Sequence, residues 1–259
     1  MHVAPLGEQL REWRARRRMS QMDLALDSEI STRHLSFIET GRAKPSAAMI
    51  ERIADCLEVP PRARNALLLA AGYAPEYRER ALDSAEMAQM KAIVEHVLAG
   101  HEPYPALAVD RHWNMVAANG AIGILTEQVS PALLTPPVNV VRIALHPDGL
   151  APQIVNYSEW REHILHRLNL QVEASGDPQI AALRDEVAGY GPLANDNDSG
   201  LANGVVVPLV LDTVAGRIAF VSTVTIFGTP LDITLSELAI EAFYPADRES
   251  AELLRRIAG

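Results

Sequence analysis

Leu6, Leu10 and Trp13 recur at helical spacing and predict a first amphipathic helix over residues 6–17. Ser20 is a good N-cap, and Asp23 three residues later completes an approximate capping box for a short second helix, Gln21 to Leu26. After a polar connection, Ser31 or Thr32 can cap a third helix that runs to Glu39 with Leu35 and Ile38 facing inward. Gly41 ends it, because a left-handed residue suits a helix C-terminus. Pro45-Ser46 opens a fourth helix, where Met49, Ile50, Ile53, Ala54 and Leu57 keep the helical period. Pro60-Pro61 breaks the chain, and a fifth helix follows from Arg62 to Ala71, stopped by Gly72.

The texture changes further on. Residues 81–100 read as a linker helix with Met87, Met90, Ile93, Val94, Val97 and Leu98 as an apolar stripe, fit either for core packing or for a coupling or dimerising contact. Ala106–Asp110 and His112–Ala117 predict two short strands in a hairpin, followed by a helix from Asn119. Helical patterns occupy residues 138–146, 156–174 and 178–190. Gly204–Asp212 and Arg217–Phe227 are β-rich, with Val214-Ala215-Gly216 as turn material between them. Leu238, Ile240, Ala242 and Tyr244 alternate, which favours a third strand over 235–244, and residues 247–258 form a closing helix. Two strands, several helices and three antiparallel strands is the order of a PAS-like domain. The expected fold class is α+β: an all-α five-helix helix-turn-helix domain (1–80), the linker helix (81–100) and a PAS-like α+β sensor domain (101–259).

Composition limits the possibilities. The chain of 259 residues is 48% hydrophobic, enough for two packed cores. Only the polar stretch Asn195 to Asn203 reads as disordered. No N-terminal signal pattern is evident, and the longest apolar run, Val205–Leu211, falls far short of the roughly 20 residues of a membrane span. A single cysteine, Cys56, excludes an internal disulfide, and a cytoplasmic protein is the expectation. The net charge of −10 argues against a nucleic-acid binder until its distribution is considered. Residues 1–80 hold 13 Lys and Arg against 11 Asp and Glu, whereas residues 81–259 hold 10 against 22. The basic residues of the first part also cluster, as Arg11, Arg14, Arg16, Arg17 and Arg18 and again as Arg33, Arg42 and Lys44.

Five short helices, two of them joined by a tight turn, fit a helix-turn-helix DNA-binding domain, which as a rule binds half-sites as a homodimer. The segment SQMDLALDSEISTRHLSFIETGRAKPS resembles the XRE family of phage-repressor type. The resemblance implies that Gln21 contacts a phosphate and that Thr32, Arg33, His34, Ser36 and Phe37 enter the major groove of a double-stranded operator. Arg33 can bond guanine O6 and N7 together, and Thr32 and Ser36 can bond bases or phosphates. Phe37 can touch a thymine methyl or belong to the core, and His34 reads as a contact because no second His or Cys sits at metal spacing nearby. Arg42 and Lys44 are placed for phosphates. The resemblance also implies a partly buried Arg14–Glu39 salt bridge.

In the second part, ALAVDRHWNMVAAN, PPVNVVRIALHPDGL, the Trp of NYSEWREHIL, SGDPQ and STVTIFGTPLDITLSELAIEAFYPAD resemble the ligand-binding domain of MmyB-like transcription regulators, and RNALLLAAGYAP resembles the join between that family's domains. A PAS-like pocket for a long-chain fatty acid is what this resemblance implies. The chain departs from the family at Gly120 and Gly123 and over AGYGPLANDNDSGLANG, where a wider or more mobile pocket rim is expected. A fatty-acid site needs an apolar tube and one polar anchor. Strand and helix facing offer Val109, Trp113, Met115, Ile122, Leu125, Ile143, Trp160, Ile164, Leu168, Val224, Ile226 and Phe227 for the tube, each taken singly reading as ordinary core sooner than as a wall residue. Arg142 is the first candidate anchor, since it interrupts an apolar helix, although an Arg paired with an acidic neighbour fits as well; His146 and Asn119 follow.

The sequence offers no catalytic constellation. His163 and His166 share a helix face near Glu159 and Glu162, which reads as a solvated face sooner than a metal cluster. SGDP lacks a nucleophile elbow, and no phosphate-binding or dinucleotide fingerprint is present. Cys56 falls on the inner side of its helix. The expectation is a regulator with no enzyme activity and no cofactor, whose second domain takes a small ligand, or dimerises or binds a protein.

Overall fold

A computed structural model of the chain describes residues 4–81, 84–191, 206–227 and 232–258. Two compact units emerge, one built on the chain up to Glu79 and the other on most of the chain from Arg80 onward. The first consists of α1 (Leu6–Arg16), α2 (Gln21–Asp27), α3 (Thr32–Glu39), α4 (Ala47–Cys56) and α5 (Pro61–Ala70). Three serines start helices. Ser20 accepts from the Asp23 N–H at 3.1 Å while the Asp23 carboxylate accepts from the Ser20 N–H at 2.9 Å; at α3 and α4 the Ser31 and Ser46 hydroxyls accept from the His34 and Met49 N–H, without the return bond. Each helix ends by placing one residue in the left-handed region, so that the following N–H bonds back into the last turn. Gly41 and Gly72 do this as the sequence suggested, but Arg18, Glu29 and Glu58 do it without glycine.

Leu10, Trp13, Leu35, Ile38, Ile50 and Leu67 anchor the core of this unit. Gly7 lets α1 lie directly on α3: a Cβ there would stand 2.2 Å from the Glu39 carbonyl oxygen. Cys56 is half-buried against this core, and burial pushes its thiol above the ordinary cysteine range.

The second unit opens with α6 (Ala85–Ala99), then β1 (Ala106–Val109) and β2 (Met115–Ala118). A 3-10 turn at 120–122 leads into α7 (Gly123–Thr126), α8 (Val140–Leu145), α9 (Tyr157–Ser175) and α10 (Pro178–Ala188). The chain closes with β3 (Leu209–Thr213), β4 (Gly216–Ile226), α11 (Ile233–Ser236), β5 (Ala239–Pro245) and α12 (Arg248–Ala258). The five strands form one antiparallel sheet in the order β2-β1-β5-β4-β3. This α+β arrangement, a sheet faced by helices, is the one the pattern predicted. One boundary differs: residues 233–236 make a helical turn, so the third strand of the meander starts at Ala239. The polar stretch Asn195 to Asn203, and the pocket rim expected there, lie outside the described residues.

Both faces of the sheet centre are covered, and strand parity decides which residue goes where. Ala106, Ala108, Leu238 and Ile240 meet Val94 and Leu98 of α6 on one side. Leu107, Val109, Leu209, Ile218, Phe220 and Phe243 face the helices α8, α9 and α10 on the other, where the larger core lies. The apolar stripe of α6 is thus divided: Val94 and Leu98 pack on the sheet, while Ile93 and Val97 stay 50% and 47% exposed.

Candidate functional site

The exposed side of α3 carries the residues expected to read bases. Thr32 and Arg33 are exposed, and His34, Ser36 and Phe37 are half-buried, while Leu35, Ile38 and Glu39 turn inward. Phe37 stands outside the apolar cluster of this unit, and the Arg33 guanidinium lies over its ring at 5.3 Å. Glu39, buried beneath the helix, accepts from Arg14 Nε at 2.8 Å and Nη2 at 3.1 Å, which is the expected salt bridge. It also accepts from Gln21 Nε2 at 2.7 Å. One amide hydrogen of Gln21 is thereby committed, and the second remains for another acceptor. Arg42 and Lys44 are exposed just beyond α3. Not all of the basic cluster on α1 serves the surface: Arg14 holds Glu39, and Arg17 donates to the Leu57 carbonyl at 2.8 Å.

The second unit holds a partly open apolar cavity of about 60 Å³ between the sheet and α8–α9. That is several times the roughly 10–15 Å³ that admits one water. Leu107, Leu209 and Phe243 line it from the strands, Met115, Ile122 and Leu125 from the β2–α7 region, and Val140, Ile143 and Ala144 from α8. Two tryptophans complete the wall. Trp113 occupies the β1–β2 turn with φ of 66°, a conformation that bulky residues rarely adopt. Its N–H bonds the Asp110 carbonyl, its own carbonyl accepts from Val140 N–H, and its indole N–H donates to Gln171 Oε1 at 2.7 Å. Strain of this kind persists where surrounding bonds over-determine it, and it concentrates at ligand sites. Trp160, only 3% exposed, has an indole N–H with no partner.

Among the described residues, one charged side chain reaches the wall. Glu241 of β5 is buried and accepts from Arg167 Nη1 at 3.1 Å. The same guanidinium covers the Trp113 ring at 4.7 Å. His163 stacks near Trp160 at 5.6 Å. Burial and the Arg167 charge hold its imidazole below the ordinary value of 6.5, against a smaller opposing pull from Glu241.

A family model for the ligand binding domain of MmyB-like transcription regulators matches residues 90–257. The chain belongs to the MmyB-like transcription regulators. A helix-turn-helix domain model matches residues 5–67. This MmyB-like regulator is also similar to RghRB, an uncharacterized HTH-type transcriptional regulator of Bacillus subtilis strain 168, with 36% identity over 85 residues. Those residues make up 32% of this chain and 59% of the relative, so the chain spans about three-fifths of the curated protein it matches.

The sequence-based pocket residues of this MmyB-like regulator divide into two groups. Trp113, Met115, Ile122, Leu125, Ile143, Trp160 and Ile164 meet around the cavity, and Val109 and Leu168 belong to the core beside it. The proposed anchors lie elsewhere. Arg142 points away from α8's apolar side and makes a two-pronged bond to Glu186, both distances 2.7 Å, so the structural alternative for it holds. Tyr190 donates to the same carboxylate, whose pKa falls below the usual range chiefly through the Arg142 bond. His146 packs edge-on against Tyr190 and accepts from the Asp148 N–H. Asn119 is buried but fully used, accepting from Ala106 N–H and donating to the Leu98 and Tyr104 carbonyls. Phe227 has odd parity on the β4 line and packs in the α6 cluster, on the opposite face of the sheet. Val224 and Ile226 share parity with Phe220 but extend past the helices that cover it, and are 49% and 65% exposed.

Sequence reasoning overlooked Phe243, Glu241 and Arg167. A lone Glu in the apolar run LAIEAFYP was the available signal, together with Arg167 one position before Leu168 on the Trp160–Ile164–Leu168 stripe of α9. Among the described residues no group of three His, Cys, Asp or Glu side chains is arranged to hold a metal, and no helix is long and apolar enough to cross a membrane.

Proposed function

We propose that this regulator binds double-stranded operator DNA through α3 and that a small apolar ligand in the cavity of its second unit adjusts that binding. Gln21, Thr32, Arg33, His34, Ser36 and Phe37 are the base- and phosphate-contacting set, with Arg42 and Lys44 on flanking phosphates. The observation that carries the ligand half is the cavity itself: an apolar space walled by two tryptophans, one held in a strained backbone conformation by four fixed contacts. Cores are packed near crystal density, and voids larger than a water are few in any domain. The apolar walls favour an acyl chain, the chemistry of the fatty-acid class expected from the family resemblance. Two copies acting on paired half-sites in the cytoplasm complete the reading, and the exposed Ile93 and Val97 on α6 favour a homodimeric contact.

The test is to denature purified full-length protein, extract it and analyse the extract by mass spectrometry. One molar equivalent of an acyl-chain compound is expected. Its absence, together with no change in melting temperature when acyl compounds are added, would leave the second unit as a dimerisation or protein-binding module.

A further inference from the structure

Resting on the reading of α3 as the DNA-contacting helix, we infer that Phe37 is a positioning residue for Arg33. Its ring braces the guanidinium so that the edge of that group meets a guanine, and its part in sequence reading is exerted through Arg33.

The two side chains sit four positions apart on one face of α3, where helical residues are neighbours. Helical side chains lean toward the N-terminus, so the Phe37 ring reaches back to the turn that carries Arg33. The guanidinium lies over that ring, 5.3 Å from its centroid. The backbone beneath the ring is pinned: the Phe37 carbonyl accepts from the Arg42 N–H at 2.7 Å and from the Ala43 N–H at 3.1 Å. Leu35 and Ile38 on the same helix are buried in the core, whereas Phe37 is half-buried and stands outside it. Core packing therefore does not account for a phenyl at this position. Arg33 differs from its neighbours as well. Arg14 and Arg17 are spent on hydrogen bonds within the unit, while Arg33 makes no hydrogen bond or ion pair among the described residues.

A guanidinium has two separable surfaces. Its flat face is weakly hydrated and stacks on aromatic rings, while its N–H groups lie in the plane and point outward from the edge. Stacking on Phe37 therefore leaves free the donors that bond guanine O6 and N7 together. An unsupported arginine must give up much rotamer freedom to reach that two-pronged geometry. A ring that already restricts the guanidinium lowers the loss on binding. The stack also strengthens as water leaves the groove.

Full-length protein is titrated by fluorescence anisotropy against its selected operator. A second duplex carries 7-deazaguanine, which lacks the N7 acceptor, at the guanine whose preference is relaxed in Arg33→Ala. Wild-type affinity should fall about tenfold on that replacement. In Phe37→Leu, which stays apolar, the fall should shrink to about threefold or less, and Phe37→Tyr, which keeps the ring, should restore it. Phe37→Leu should bind non-specific duplex as the wild type does. An unchanged 7-deazaguanine penalty in Phe37→Leu, or equal weakening of that variant on every duplex, overturns the inference and leaves α3 as the reader. A loss on replacing an operator thymine with uracil that vanishes in Phe37→Leu also overturns it, because Phe37 then reads a methyl directly. A wild-type protein that selects no operator, or an Arg33→Ala variant that relaxes no position, overturns the DNA-reading assignment, and the inference with it.

Discussion

Replacing Arg14 with methionine removes the partner of a carboxylate that has nowhere else to go. The Glu39 side chain is 1% exposed and accepts three hydrogen bonds, two of them from Arg14 at 2.8 and 3.1 Å and one from Gln21 at 2.7 Å. Arg14 also donates to the Met19 carbonyl at 3.1 Å, closing the turn after α1. Breaking a buried pair by deleting one member costs about 3–5 kcal/mol, because a charge is left unpaired. Gln21 remains, and the Arg14 side chain is 19% exposed, so water can replace part of the loss. The expected cost is therefore at the lower end, about 3 kcal/mol. Replacing both Arg14 and Glu39 with methionine removes the stranded charge and should recover most of that loss, giving a strong non-additive coupling. A chain with two units need not unfold in one step, so the assay is hydrogen exchange by mass spectrometry on peptides from α1 to α4. A loss below about 1 kcal/mol in Arg14→Met, or a double variant no more stable than the single one, would refute this reasoning.

Gly7→Ala forces a methyl to 2.2 Å from the Glu39 carbonyl, so α1 and α3 must separate; a loss of about 1–3 kcal/mol in the same exchange experiment is expected, and unchanged protection of α1 would contradict the packing. His163 resists protonation in the fold, so the unfolded chain binds the proton more readily below pH 6.5; stability is full above that value and declines as pH falls through it. His163→Phe should therefore flatten the fall in urea midpoint between about pH 7.5 and 5.5, and an identical fall in the variant would exclude His163 as the cause. Arg33→Ala should relax sequence preference in a selection experiment, whereas Lys44→Ala should weaken all sequences equally and lower the salt slope by about one; the same pattern from both would count against their separate roles.

Elements with local signals were legible in the sequence. The serines at 20, 31 and 46 and the glycines at 41 and 72 mark helix ends through bonds made within a few residues, and the predicted helices of the first unit match those formed to within two residues. Left-handed Arg18, Glu29 and Glu58 were not legible as such, because their residue types have no preference for that backbone. The first hairpin and the closing meander followed from the sequence of elements, and Trp113, Trp160 and the apolar wall of α8 and α9 from strand and helix facing. The polar half did not follow. Arg142 draws attention as a charge within an apolar helix, yet its partner Glu186 lies on α10, 44 positions away, where periodicity carries no information. Arg167 and Glu241 meet across 74 positions for the same reason. In β5 the even positions showed a clean apolar alternation that belongs to the α6 side, and this concealed that Glu241 and Phe243 form the cavity side. Phe227 was offered for the cavity by strand facing, but it follows the end of β4 and packs on the α6 side.

Control of DNA reading by cavity occupancy is tested most directly by one affinity measurement. Full-length protein, stripped of ligand and then saturated with the tightest-binding acyl compound, is titrated against a selected operator duplex by fluorescence anisotropy at fixed salt. A ligand acts only through different affinities for two states, and such couplings span about 5–150-fold. Occupancy is predicted to shift the operator Kd by about fivefold or more, and Ala144→Phe, which fills the cavity, should abolish the shift. An operator Kd that stays within about twofold while calorimetry shows the ligand bound would contradict the account.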